Sequence, residues 1–406
     1  MRTADDQRIL IAGGGPVGMV TALALAQYGL PVAVFEAEAD INTDPRAATT
    51  HPATLELLAE LGLIDAVIQA GLTARTFQFW DRPSGTLIAE FDHDVLKQDT
   101  RFPFVVQCEQ HKLARFALER LRGLPHAQVY FSSRVQAVEA RSDGVALRLT
   151  TGSGEHEVRG AFVIGADGGR STVRKALGIE FQGYTWPERF IVLTTAFDFA
   201  AERGYCFRNY FSDPQEWANL FKVSGDDGRG LWRVVFPTHN DESDEQALSD
   251  AGVEARLQRF FPIASRHRVL HRNLYKVHQR VATTFRKGRV LLAGDVAHVN
   301  NPIGGLGLNC GIHDGIELAQ RLARVCKGEA AEDELDLYDR RRRPLNIEFV
   351  QQQTIANKKR LEERDAAVRA ASFSELRATA ADRSAHRRFL LRTSLIDSVR
   401  KAASIT

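Results

Sequence analysis

Four cysteines in 406 residues leave little scope for covalent bracing. Cys108, Cys206, Cys310 and Cys326 are scattered without a CxxC pair, which argues against a disulfide framework or zinc cluster and suits a reducing cytoplasm. No pair of histidines stands at metal-binding spacing from a carboxylate, so no metal is expected. An excess of one charge is missing too. Lys and Arg number 53 against 51 Asp and Glu, a net charge of +2, so no global field favours nucleic acid or an anionic membrane. The basic run Arg340-Arg341-Arg342-Arg343 before Pro344 reads as a solvated helix end. Long apolar runs are absent. Residues 9–30 come nearest, but Gly13, Gly14, Gly15, Pro16, Gly18 and Gly29 interrupt them, which means strand, turn and helix, not a membrane span. Residues 1–8 are short, polar and partly acidic, unlike a signal peptide. A soluble, cytoplasmic protein is expected.

What remains is ordinary globular material, 44% hydrophobic and 26% charged. Its length fits two or three domains, or one large domain with an insertion. Residues 8–12 form an apolar run, 17–28 have helical texture, and 31–36 form a second apolar run, giving β-α-β. Residues 52–61 predict an amphipathic helix. Two short strands flank Arg82-Pro83-Ser84-Gly85 within 77–91, a hairpin signal. Residues 110–121 are helical, 135–150 alternate as a hairpin, and 161–166 form a buried-type strand. Aromatic and β-branched residues dominate 190–236, a β-rich block. A buried-type strand at 289–293 leads into a second glycine-rich loop and a helix from about Cys310 to Cys326. The expectation is an α/β fold. A Rossmann-type nucleotide domain is assembled from 1–76, 100–182 and 274–345. A β-sheet substrate domain from 77–99 and 183–273 is inserted, and 346–406 form a helical C-terminal segment.

Gly13-Gly14-Gly15-Pro16-Val17-Gly18 fits G-x-G-x-x-G after a strand and before a helix. Gly13 allows the tight turn, Gly15 the approach of a pyrophosphate, and Gly18 close helix–strand packing. Helix N–H groups then stabilise phosphate charge. Glu36 ends the second strand, where a carboxylate binds ribose hydroxyls and repels a 2′-phosphate. The loop therefore holds FAD or NAD. Two further strands end in acids: Asp167-Gly168-Gly169-Arg170-Ser171 and Gly294-Asp295-Val296-Ala297-His298, the latter continuing to Asn309. Carboxyl ends of parallel strands are where α/β sheets bind ligands.

Taken in order, GGGPVG with Glu36, ADGGRSTVR and GDVAHVNNPIGGLGLN closely resemble the flavin-dependent aromatic hydroxylases, the FAD-dependent monooxygenases typified by para-hydroxybenzoate hydroxylase. The resemblance spans roughly residues 8–343. It implies FAD as cofactor, NADH or NADPH as a transient co-substrate, and O2. It also implies hydroxylation of a small electron-rich ring, of phenol, hydroxybenzoate or hydroxypyridine type, through a flavin C4a-hydroperoxide. Cofactor contacts are then expected from Gly13, Gly15, Pro16, Val17 and Gly18, from Glu36, Ala37 and Arg46, and from Gln110 or Gln107. Val135, Asp167, Gly168, Gly294, Asp295, Pro302, Gly305, Leu306, Gly307, Leu308 and Asn309 complete that set. Pro302, Gly304 and Gly305 are expected at the reacting edge of the flavin. Substrate contacts are sought on the inserted sheet, among Phe79, Tyr210, Phe211, Trp217, Phe221, Trp232 and Arg233. Of these, Arg233 is the most informative, because a charge between apolar neighbours needs a partner. His298 is read as fixing backbone, and Cys310 and His313 as packing residues. The C-terminal segment either packs across the FAD domain or mediates a homodimer. Competing readings are a larger polycyclic or quinone-related substrate, and a non-oxygenating FAD electron-transfer protein. A halogenase is disfavoured because Trp217 and Trp232 are isolated and form no WxWxIP segment.

Overall fold

A computed structural model describes residues 7–141 and 144–406. Two sheets organise it. In the first, Ile9–Ala12 and Val32–Phe35 are buried along their whole length, the signature of strands covered on both faces. They pair in parallel, with Ala127–Tyr130 outside the second and Phe162–Gly165 against the first. Val290–Leu292 lies parallel beyond Phe162–Gly165. All of these strands point the same way, so the loops after Ala12, Gly165 and Leu292 emerge at one edge. The three motifs are brought together by strand direction alone.

The second sheet has eight strands. Its long members, Phe181–Thr195 and Val269–Ala282, pair antiparallel from Phe181↔Ala282 to Thr195↔Val269. They run through the expected boundaries at 182/183 and 273/274, so backbone hydrogen bonds continue from one lobe into the other. Period-two alternation gives this sheet two unlike faces. Ile191, Leu193, Phe211, Leu220, Trp232, Val234 and Phe236 pack on Val253 and Leu257 of the helix Asp250–Phe260. Their neighbours Val192, Tyr210, Asn219, Phe221, Arg233 and Val235 face the first sheet across a cavity.

The C-terminal segment is helical, with helices at Gln352–Glu362, Ala366–Ala381, Arg383–Thr393 and Ile396–Ser404. Leu376, Leu390, Leu391 and Leu395 cover Phe77, Ile88 and Phe91 of the hairpin. The segment thus packs on the second sheet's hairpin. No helix among the described residues is long and apolar enough to cross a membrane.

The arginine run is not a solvated helix end. The helix Glu334–Asn346 continues through Pro344, and Arg342 is only 2% exposed. Its Nε donates to Asp314 Oδ1 at 2.7 Å, and Arg343 Nε donates to the Ala282 carbonyl at 3.1 Å. His298 Nε2 meets Asp314 Oδ2 at 2.5 Å, and the Gly294 N–H donates to the same oxygen at 3.2 Å. Burial alone would lower the His298 pKa, but the Asp314 carboxylate outweighs it and holds the imidazole at about 10. Burial would likewise raise Asp314, and His298 and Arg342 together hold it at about 2.

The pH dependence follows by linkage. His298, raised from 6.5, contributes fully below that value and loses its contribution as pH climbs toward about 10. Asp314, lowered from 3.8, contributes fully above that value and loses its contribution as pH falls toward about 2. Stability of the wild type against urea should therefore fall between pH 6.5 and 9, and His298→Asn should flatten that slope. Asp314→Asn, which strands two buried cations, should cost about 3–5 kcal/mol.

Candidate active site

The glycines of the first loop divide by what surrounds them. Gly13 has φ +105°, and a Cβ there would lie 2.4 Å from the Ala166 carbonyl oxygen. A Cβ on Gly18 would lie 2.0 Å from the Gly13 carbonyl oxygen. Both are packing requirements. Gly15 is different: nothing lies within 4 Å of its would-be Cβ. It caps the helix Pro16–Gln27, whose first N–H groups have no intrahelical partner. Gly15, Pro16 and Val17 line a cavity of 650 Å³. That free space over Gly15 fits a phosphate.

The other motifs meet the same cavity through Gly168, Gly169 and Asp295. Arg174 braces them together, donating to the Gly169 and Val296 carbonyls at 2.9 Å each and stacking 3.8 Å from the Phe181 ring centroid. Asp295 opens onto the cavity while surrounded by protein. Desolvation raises its pKa, opposed by the charges of His298 and Arg46. Such a carboxylate is poised to accept hydrogen bonds from the hydroxyls of a polyol chain. Asp167 does not line the cavity. Its Oδ2 accepts the Thr172 and Val173 N–H groups at 2.7 and 3.1 Å and so caps a helix, its Oδ1 is buried without a partner, and Gly168 and Gly169 of its motif line the cavity.

Between the two glutamines the geometry discriminates. Both line the cavity. Gln107 is fully buried, its Oε1 accepts from Thr49 Oγ1 at 2.8 Å, and its Nε2 has no partner in the protein. A buried amide N–H that faces a cavity calls for a ligand. Gln110 heads the helix Gln110–Arg122 and is half-buried.

The third loop is shaped by side chains behind it. Gly304 and Gly305 have φ +108° and +70°. Asn309 Nδ2 donates to the Thr49 and Gly305 carbonyls at 2.8 and 2.6 Å, and its Oδ1 accepts the His51 N–H at 2.8 Å. His51 Nε2 donates to the Gly304 carbonyl at 2.8 Å. Asn309 therefore spends its side chain on the loop, and the loop presents Pro302, Gly304, Gly305, Leu306, Gly307 and Leu308 to the cavity. The helix Gly307–Cys326 begins there, adding unpaired N–H groups and a positive dipole end.

Some expected residues lie elsewhere. Val135 is 8% exposed in the apolar core, paired with Leu149 across a strand ladder, and does not reach the cavity. Glu36 holds the Gly14 and Glu38 N–H groups at 2.5 and 2.9 Å beside the first loop; neither it nor Ala37 lines the cavity. Gly294 stands behind Val17. Trp232 and Phe211 point into the core on the far face of the sheet, and Trp217 packs edge-on against Phe190.

Tyr210, Phe221 and Arg233 do face the cavity. Arg233 is 4% exposed, donates from Nη1 to the Arg46 carbonyl at 2.8 Å, and leaves Nε unpartnered. Burial lowers its pKa, against the opposing pull of Glu109. Phe79 stacks on Tyr210 at 5.2 Å and lines a small adjoining void. Sequence reasoning missed Arg208, Asn219 and Tyr275 on the same wall, and His51 beneath the loop. The signal was available for Arg208, which sits two residues before Tyr210 and so shares its face.

A dinucleotide fold whose phosphate-binding turn opens into a long cavity, roofed by a second sheet, defines a flavoprotein of the FAD-binding type. The chain belongs to the family described as FAD binding domain, whose pattern matches residues 6–353. It is 36% identical over 398 residues to the para-nitrophenol 4-monooxygenase of Pseudomonas sp. strain WBC-3, covering 96% of each chain. It is also 36% identical over 349 residues to the 6-hydroxy-3-succinoylpyridine 3-monooxygenase of Pseudomonas putida, covering 85% of this chain and 86% of that one. The crystal structure of p-nitrophenol 4-monooxygenase from Pseudomonas putida DLL-E4 superposes with a TM-score of 0.90 at 35% identity, covering 95% of this chain and 97% of the other.

The glycine geometry gives a paired test. Gly15→Val should fold, since no protein atom opposes its side chain, yet lose FAD by steric bulk at the phosphate. Gly18→Val should fail to fold. Thermal melting with and without added FAD checks both; a Gly15→Val protein that retains flavin refutes the placement of the phosphate.

Proposed function

We propose that the protein is an FAD-dependent monooxygenase that uses NAD(P)H and O2 to hydroxylate a small electron-rich aromatic compound. The observation that carries this reading is a single continuous cavity of 650 Å³, with the phosphate-binding turn at one end and the aromatic sheet face at the other. One space must take both the isoalloxazine and the substrate. Names of the relatives, a nitrophenol and a hydroxypyridine monooxygenase, agree with a small ring.

When bound, FAD supplies hydride acceptance and oxygen activation, chemistry that no side chain here provides. The protein's part is position, field and dryness. N–H groups of the glycine loop and the start of the helix Gly307–Cys326 stabilise negative charge at the cofactor's edge. Gly15 and the first helix hold the phosphates, Gln107 and Asp295 the chain between phosphate and ring. Val192, Tyr210, Phe221, Val235 and Tyr275 line the far wall and exclude the water that would divert activated oxygen to hydrogen peroxide. Burial raises the Tyr275 pKa, so its hydroxyl stays protonated and able to donate.

The purified protein should be yellow. Phenols and hydroxypyridines should stimulate NADH or NADPH oxidation, with one atom of labelled O2 appearing in the product by mass spectrometry. Stimulation that yields only hydrogen peroxide would count against the assignment. Asp295→Ala should weaken FAD retention at least about tenfold, in line with losing a hydrogen bond to a charged group. Unchanged flavin occupancy after gel filtration would remove that residue from the site.

A further inference from the structure

The sheet wall of the cavity carries Arg208, Arg233 and Lys276, and the carboxylates that line the cavity, Asp44 and Asp295, come from the nucleotide side. Arg233 has the Arg46 carbonyl on Nη1 and the opposing pull of Glu109, with only Nε left unpartnered. Arg208 is 5% exposed, and among the described residues it has neither a carbonyl nor a carboxylate partner. Its Nη2 donates to the Tyr210 hydroxyl at 3.2 Å, and its guanidinium stands 5.1 Å from the Phe77 ring centroid. Its Nη1 is buried without a partner. A hydroxyl and a ring face do not offset the desolvation of a guanidinium, which ordinarily takes a carboxylate or another anion. Directly across the ladder from Tyr210 stands Asn219, whose Oδ1 is also buried without a partner.

We propose that Arg208 is the residue that selects the substrate, binding the negative oxygen of an anionic aromatic ring on the wall it shares with Tyr210 and Asn219. That oxygen is either a phenolate or a ring carboxylate. A planar guanidinium presents paired N–H donors to such a group, and the Asn219 carbonyl is left for a hydroxyl or amino donor. The selection is for charge, independent of which ring position reacts. It rests on the reading of the cavity as an aromatic-substrate site.

Binding without turnover tests it. The oxidised holoenzyme, with no NAD(P)H, is titrated with matched pairs while the flavin absorbance is followed. The pairs are ionised 4-nitrophenol against 4-nitroanisole, and 4-hydroxybenzoate against 4-hydroxybenzamide. In one pair or both, the anion should bind at least about 30-fold more tightly than its neutral partner, the scale for a desolvated charged hydrogen bond. A preference in the first pair identifies a phenolate, in the second a carboxylate. Arg208→Met should shrink the preference to under about 3-fold while sparing the neutral ligand, and Arg208→Lys should keep part of it. Equal binding of anion and neutral partner by the wild type overturns the inference, as does a preference that survives Arg208→Met. If the methionine variant does not hold flavin, the wild-type pairs and Arg208→Lys decide. A charge preference without oxygen incorporation would sink the hydroxylase reading and leave this one standing.

Discussion

A fully buried carboxylate, Asp314, holds the third motif in place. It receives the Gly294 N–H, His298 and Arg342, and so ties the loop after Val290–Leu292 to the helix Gly307–Cys326 and to the helix Glu334–Asn346. Taking such a group out of water is costly, and the cost is offset by three donors from separate segments that converge on it. The gain is position. Asp295 and the glycine loop lie on either side of this knot, and their placement against the first motif depends on it. The knot's candidate ligand set for a metal, His298, Cys310 and Asp314, is already saturated by cations: Arg342 Nη2 donates to Cys310 Sγ at 3.2 Å while its Nε holds Asp314. A further positive charge would meet repulsion there, so the cluster is structural.

From this fixed edge the rest of the site follows by direction. Parallel strands bring the three motifs to one side of the first sheet, and the long strands Phe181–Thr195 and Val269–Ala282 carry the second sheet over them. Because side chains alternate along a strand, one decision about which way a single residue faces settles the whole wall. Tyr210 facing the cavity puts Arg208, Asn219, Phe221, Arg233 and Val235 there, and it puts Phe211 and Trp232 in the opposite core. Aromatic richness told nothing of this. Trp232 and Phe221 look equally suited to a substrate in the sequence, yet they lie in strands whose registers turn them to opposite faces.

That contrast marks how far the chain can be read from its letters. Features whose geometry is local were legible: the turn and packing glycines of the first loop, the strand end before Asp295, the hairpin at Arg82-Pro83-Ser84-Gly85. Each depends on a few neighbouring residues and a strand before them. Asp167 shows the limit of motif reading. Its position was placed correctly at a strand end, but its carboxylate binds the N–H groups five and six residues on, a choice made by local turn geometry. Long-range pairings were not legible at all. Nothing in Arg340-Arg341-Arg342-Arg343 separates the one side chain that ends beside Asp314 from the one that stays in solvent, because the partner lies 28 residues away and only the packed helices bring the two together.

The C-terminal segment belongs in the same argument. Asn357 Nδ2 donates to the Ile303 carbonyl at 3.1 Å, within the glycine loop. Leu361, Phe389 and Thr393 line the small void behind Arg208 and Tyr210. The glycine loop is therefore held from two directions, by Asn309 and His51 on one side and by the tail on the other. An arginine with an unpaired N–H at that depth carries a desolvation cost that only water or a ligand in the cavity can offset. The tail closes the rear of that wall. It turns an open sheet face into the closed side of a cavity, and the charge on that face acquires its strength from being closed in.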